Sequence, residues 1–245
     1  MIKYVRFNVG ICRMKAKNAK EQTPRCLQYF AGNVVNIYAR KGVVHMKPDD
    51  KHTALIEGAI HVIANEGIDR ATTKRIGTYT GINEAYIYRC FKGKEDLFVQ
   101  AFLQLDKEFV NHIMLQVRVM DREDLPFEVR CRKFFSAVWS FVLHERDRSV
   151  CYIQYYHSHY FAKYSLNGRR ERFKPVLDRC SSAFKPQADV WRLLNHILDI
   201  LFSSAEQVFQ GELPDDEKTQ EYVYCLIYCG IEPYLAWSER ECLAM

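Results

Sequence analysis

The stretch from Thr72 to Leu97, TTKRIGTYTGINEAYIYRCFKGKEDL, constrains the fold of this chain more than any other. Glycines at 77 and 81 and an isoleucine at 87 have the spacing of two short helices that cross on a tight turn. Gly77 is small where two backbones meet. Gly81 supplies the left-handed turn conformation that residues with a side chain reach only at a cost. Ile76, Ile82, Ile87 and Phe91 make the small apolar core beneath such a pair. Thr72 or Thr73 caps the first helix and Asn83 the second, each offering a side-chain oxygen to the free N–H groups of a first turn. Lys74 and Arg75 then sit where the helix dipole favours anions. A phosphate nearby resolves that conflict; two solvated charges are the alternative.

Tyr88, Phe91, Lys94 and Leu97, each three apart, complete a pattern that resembles the head of the TetR family of transcriptional regulators over roughly residues 51–102. Gly67, Thr72, Thr73, Ile76, Gly81, Tyr88, Phe91, Lys94 and Leu97 stand at the family's motif positions. Gly77 and Thr80 replace the usual Ala, Asn83 the usual Ser, and Cys90 a His or Tyr, which weakens the case for a phosphate contact from position 90. The ending GIEPYL is similar to the family's terminus as well. The resemblance implies an all-α fold: a three-helix DNA-binding head with a helix-turn-helix, then a larger helical bundle that binds ligand and dimerises. It further implies a repressor that a small molecule releases from double-stranded DNA.

DNA recognition needs donors that hold phosphates in register and side chains that reach base edges. Thr73, at a helix N-terminus, suits a phosphate; the resemblance gives Tyr88 and Lys94 the same role. Lys74, Glu84, Ala85, Tyr86 and Arg89 are the candidates for the major groove, where the early residues of a recognition helix meet bases. Thr72, Arg75 and Asn83 complete the expected DNA-facing set.

Bulk charge does not carry this reading. The formal net charge is +5, but residues 1–45 hold nine Lys/Arg against one acidic residue, Glu21, leaving the remainder at −3. The expectation rests on where the basic groups sit. Residues 1–45 show no sustained apolar period and no Ser, which argues against a transit segment. Three readings stay open for them: an upstream extension from a wrong start codon, a flexible basic arm that assists DNA binding, or a small folded element. The expected division is therefore 1–45 extension, 46–95 head and 96–245 bundle.

Beyond the head, every pattern is helical. A helix expected from Asp50 carries the stripe Ile56, Ala59, Ile60 and Ile63 and ends at Gly67; another runs from Lys94 to about Val117. Further helices are expected over about 127–144 (stripe Phe134, Val138, Phe141, Val142), 150–164, near Pro175, 188–210 and 216–237. The 150–164 segment is aromatic almost all round and should be central. Val190, Leu194, Ile197, Leu201 and Val208, with Tyr222, Leu226 and Cys229, have the spacing of a four-helix homodimer interface built from the last two helices.

Phe102, Trp139, Tyr152, Tyr155, Tyr156, His159 and Trp191 are the expected pocket. Buried Tyr and His tips without partners cost roughly 1–3 kcal/mol each, and a cavity holding a largely apolar effector satisfies them. Tyr tips reaching solvent from a solid core are the alternative.

Enzyme chemistry finds no support in the motifs. Lys94 follows Gly93, but Glu95 stands where a phosphate loop needs Ser or Thr. His157 and His159 are two apart and point to different sides of a helix, so they do not chelate one metal. Nine Cys without a signal peptide read as free thiols, no metal site or cofactor is called for, and no run of about 18 apolar residues exists. The expected place of action is the cytoplasm, at DNA. Two rivals remain: a dimeric helix-turn-helix regulator that senses no small molecule, and an all-α binding protein or enzyme with a vestigial helix-turn-helix.

Overall fold

A computed structural model describes residues 48–236. The expectations for residues 1–45 lie outside the described residues. We number the α-helices in chain order: α1 Pro48–Glu66, α2 Thr73–Thr80, α3 Glu84–Cys90, α4 Lys94–Gln116, α5 Phe127–His144, α6 Arg146–Tyr156, α7 Arg169–Arg172, α8 Lys174–Cys180, α9 Val190–Gln210 and α10 Glu217–Ile231. Among the described residues there is no strand, only an isolated antiparallel bridge between Phe184 and Leu235. No described helix is long and apolar enough to cross a membrane.

The head is α1 to α3 closed by the start of α4. Ile56, Ala59, Ile60 and Ile63 of α1 are buried with Ile76, Ile82, Ile87, Phe91 and Leu97. Helix α1 starts two residues earlier than Asp50, at Pro48, so Asp49 and Asp50 lie inside its first turn. Proline suits that place because its missing N–H has no helical partner there. Gly67 ends α1 with φ 91°, its N–H donating to the Ile63 carbonyl at 2.9 Å.

Helix α4 runs from the head into the bundle. Leu97, Phe98, Ala101, Phe102, Leu105, Phe109, Val110 and Ile113 form its buried face, and Asp106 is buried among them. Helix α6 is the other link to the head. Arg148 bridges Glu57 of α1 (2.7 Å) and Glu108 of α4 (2.7 Å), and the Gln154 side chain accepts from the Ile68 N–H at 2.9 Å.

Several element boundaries differ from the sequence expectation for local reasons. The segment expected to be helical over 150–164 starts at Arg146, because α5 stops two residues earlier, and leaves the α-helix after Tyr156. Ser158 turns its hydroxyl onto the Tyr155 carbonyl (2.6 Å), competing with the helical bond. A wide turn follows over Phe161–Ser165, closed by Leu166 N–H to the Phe161 carbonyl at 2.9 Å. Around Pro175 two short helices replace the expected one. Helix α10 gives way at Glu232 to a 3-10 turn over Glu232–Tyr234, where Pro233 has no N–H to continue the ladder. The inner stripe of α5 is also rotated by about one residue: Phe135, Val138, Trp139 and Val142 are buried, while Phe134 and Phe141 are half-buried.

Candidate nucleic-acid interface and bundle cavity

The crossing of α2 and α3 sets the shape of the head. A Cβ added to Gly77 would lie 2.8 Å from the Ile82 carbonyl oxygen and 3.4 Å from the Glu84 amide nitrogen. Gly81 takes the left-handed conformation (φ 70°, ψ 11°) that reverses the chain. Both helices are capped as their sequences require. The Thr72 hydroxyl accepts from Arg75 N–H at 3.2 Å, and Asn83 Oδ1 accepts from Ala85 N–H at 2.9 Å.

The eleven residues expected to face DNA are then sorted by burial. Thr72, Lys74, Arg75, Asn83, Ala85, Tyr88 and Arg89 are exposed, Tyr88 at 60%. Thr73 is buried, and its hydroxyl donates to the half-buried Glu84 carboxylate. These two groups therefore satisfy each other across the α2–α3 junction. Tyr86 is half-buried against α1, with the Lys51 ammonium 4.9 Å from its ring centroid. Lys94 is half-buried at the start of α4, its Nζ 5.2 Å from the Phe98 centroid. Arg75 pairs with Glu66. Two cations near this face escaped sequence reasoning. Lys51 comes from a helix more than 30 residues away and is brought there only by folding, whereas Lys92, exposed two residues before Lys94, could have been found by proximity.

A cavity of about 820 Å³ lies in the bundle between α4, α5, α8, α9 and α10. Its walls are mostly apolar: Phe109 and Ile113 from α4, Phe134 and Val138 from α5, Leu194, Leu198 and Leu201 from α9, and Ile227 from α10. Polar groups are few. Arg130 and Arg179 lie near Asp121, with Arg179 paired to that carboxylate and Arg130 Nη1 bonded to the Met120 carbonyl at 2.7 Å. Burial pushes the Cys131 thiol up to about 12 and raises that of Cys180, so both walls stay uncharged at neutral pH. The Tyr224 hydroxyl is buried without a partner, and burial raises its ionisation well above the usual tyrosine range.

None of the seven residues expected around a pocket lines this cavity. Phe102 stacks on Tyr152 (5.0 Å) and Tyr155 (4.4 Å) inside the core. Their polar tips find partners within the chain. Tyr152 donates to Asp106 at 2.8 Å, Tyr155 meets Ser165 at 2.9 Å, and Tyr156 donates to Asp199 at 3.1 Å. Trp139 is buried beside Phe135, Trp191 is half-buried near Phe173, and His159 is exposed against Tyr160. Asp106 was missed because it sits in the apolar stripe of α4, where a carboxylate breaks the pattern.

The expected interface residues also divide. Val190, Leu194, Ile197 and Leu201 line the cavity, Leu201 buried and the other three half-buried. Tyr222 (56% exposed) and Leu226 (42%) do face outward on α10, together with Cys225 and Cys229. Val208 is half-buried against the core. The helix period explains the split: residues at 190, 194, 197 and 201 share one stripe, and that stripe borders the cavity.

Residues 55–101 match the family model described as bacterial regulatory proteins, tetR family. Among curated proteins nothing matches the chain. Solved structures match its fold at low identity. A TetR family transcription regulator from Marinobacter aquaeolei VT8 has 14% identity and a TM-score of 0.60, covering 74% of this chain and 94% of its own. A chain from Shewanella sp. PV-4 assigned to the same family has 13% identity and a TM-score of 0.61, covering 76% and 99%. The multidrug binding protein EbrR complexed with imidazole has 15% identity and a TM-score of 0.51, covering 72% and 92%.

Proposed function

We propose that the chain is a DNA-binding transcriptional regulator of the TetR family, a homodimeric repressor released from its operator by a small, largely apolar effector. The observation that carries the effector reading is the bundle cavity of about 820 Å³, within the size range of small-molecule sites and walled almost wholly by apolar side chains. EbrR, similar in fold, is a multidrug binding protein complexed with imidazole, which supports a small-molecule role here.

The route from cavity to DNA is α4. Phe109 and Ile113 form part of the cavity wall, and Lys94 and Leu97 of the same 23-residue helix belong to the head. A continuous helix is stiff, so a displacement at Phe109 is carried to the head about 20 Å away. The effector acts by binding the DNA-incompetent arrangement more tightly than the competent one. On the DNA side, Tyr88, Lys94 and the α2 N-terminus with Thr72 and Thr73 hold phosphates; Lys74, Arg75, Asn83, Glu84, Ala85, Tyr86 and Arg89 work in or beside the major groove. For Thr73 and Glu84 this requires their mutual hydrogen bond to open on DNA. The outward face of α10, with Tyr222, Cys225, Leu226 and Cys229, is the surface offered to a second copy.

A gel-shift on the DNA upstream of the chain's own gene, repeated across a library of apolar small molecules that stabilise the protein thermally, tests this reading. Release by at least one stabilising compound is the expected result. Specific binding that no stabilising compound alters would leave a regulator whose bundle only dimerises. Failure to shift any upstream DNA would sink the regulator assignment itself.

A further inference from the structure

Arg169 opens α7 and is only 3% exposed. Four rings surround its guanidinium: Tyr156 at 4.6 Å, Phe173 at 5.5 Å, and Phe161 and Trp191 at 5.7 Å each. Nη1 donates to the Tyr156 hydroxyl at 3.2 Å and to Asn195 Oδ1. Nε and Nη2, the edge that grips a carboxylate with two parallel bonds, have no partner. The neighbouring Arg172 takes Asp106, the one fully buried carboxylate among the described residues. Arg169 is thus a desolvated cation without a counter-charge. Such a charge is costly unless paired, and aromatic faces return only part of that cost.

The cage adjoins the apolar cavity. Phe173 precedes Val176 by one turn, and Trp191 and Asn195 follow directly on Val190 and Leu194; all three of these aliphatic residues line the cavity. Phe109, from the cavity wall, meets Phe173 with ring centroids 6.5 Å apart. Phe173 in turn lies against the guanidinium, so two successive rings, Phe109 and Phe173, lead from the cavity wall to the unpaired cation.

We propose that the effector is an organic acid, its apolar body in the bundle cavity and its carboxylate on the Nε–Nη2 edge of Arg169, reached past Phe173 and Trp191. This rests on the effector reading above and adds the chemical class. The carboxylate supplies both missing acceptors and the missing charge at once, which a neutral or cationic ligand cannot do.

Dodecanoate, dodecanol and dodecylamine, each below its micelle-forming concentration, are the probes, read by thermal shift and tryptophan fluorescence. Dodecanoate should bind about tenfold or more tighter than dodecanol, with the amine weakest, as expected for gaining a charge-assisted fork. In Arg169→Met the acid should fall to the alcohol's affinity while the alcohol keeps its own. Arg169→Lys keeps the charge, loses the fork, and should lose most of the preference; it decides the matter if the methionine variant does not fold, and an unchanged preference in it overturns the proposal. Arg130→Met, at a cation that lines the cavity itself, should leave the preference intact. Equal binding of acid and alcohol by the wild type overturns the proposal, as does a preference abolished by Arg130→Met and not by changes at Arg169. Acid binding that leaves operator affinity unchanged removes the effector role but keeps the carboxylate site. A chain that binds none of the three probes loses both.

Discussion

Replacing Gly77 by alanine tests the helix crossing on which DNA reading depends. In an ordinary helix interior this change stabilises by about 1 kcal/mol, because alanine loses less backbone entropy. Here the new Cβ would meet the Ile82 carbonyl oxygen at 2.8 Å and the Glu84 amide nitrogen at 3.4 Å. Both are backbone atoms, so no side-chain rotation relieves the contact and the α2–α3 turn must open by several tenths of an ångström. Overpacking of this kind costs about 1–3 kcal/mol. Setting the propensity gain against it leaves a net loss of roughly 1 kcal/mol, between zero and 2. The functional loss should be larger, since on the proposed contacts α3 presents Ala85 and Arg89 to the groove and each well-made base contact contributes about 1–3 kcal/mol of discrimination. Urea denaturation followed by circular dichroism measures the first quantity; a gel-shift at fixed salt measures the second. A Gly77→Ala protein that gains the full 1 kcal/mol and binds operator like the wild type would show that α2 and α3 do not touch at this residue. Gly81→Ala is the control: nothing lies within 4 Å of its added Cβ, but φ is 70°. It should lose about 1–2 kcal/mol from the left-handed conformation alone, with no steric term.

Lys94→Ala should weaken operator binding about equally across sequences and reduce the magnitude of the salt slope by about 0.9; an unchanged slope removes Lys94 from the phosphate role. Leu226→Asp places a charge on the outward face of α10 and should give folded monomers that bind operator poorly, read by sedimentation, whereas Leu194→Asp puts a charge in the cavity wall and should destabilise the subunit itself. The Cys131 thiol is held near 12 in the folded chain by burial, against 9.0 for an ordinary thiol, so the folded form keeps its proton where the unfolded form loses it. Its contribution to stability is full below pH 9 and is lost as pH climbs from 9 towards 12. Thermal unfolding across that range should show the decline, a Cys131→Ser variant should show less of it, and identical profiles would count against the thiol as its source.

The head was legible in the sequence because its constraints are local. Gly77, Gly81, Thr72, Asn83 and Ile87 act through neighbours only a few residues away, so spacing alone places the caps, the turn and the crossing. Helix α5 was legible for the same reason in extent, though its inner stripe was misjudged by a residue, since periodicity does not say which of two adjacent phenylalanines faces in.

The bundle was legible as helices and not as a site. Tyr152, Tyr155 and Tyr156 announce polar tips in an aromatic segment, but whether a tip needs a ligand depends on what folding sets opposite it. Tertiary structure supplied Asp106, Ser165 and Asp199 from other elements, and the cavity opened elsewhere. In the same way, the stripe Val190, Leu194, Ile197 and Leu201 is apolar in sequence whether it meets a second copy or the wall of its own subunit. Burial is a property of the assembled surface, and no spacing within one helix carries it. Arg169 shows the limit most directly: in sequence it is one basic residue in a charged run, and only the packing of four rings around it, three of them from other elements, makes it a buried charge without a partner.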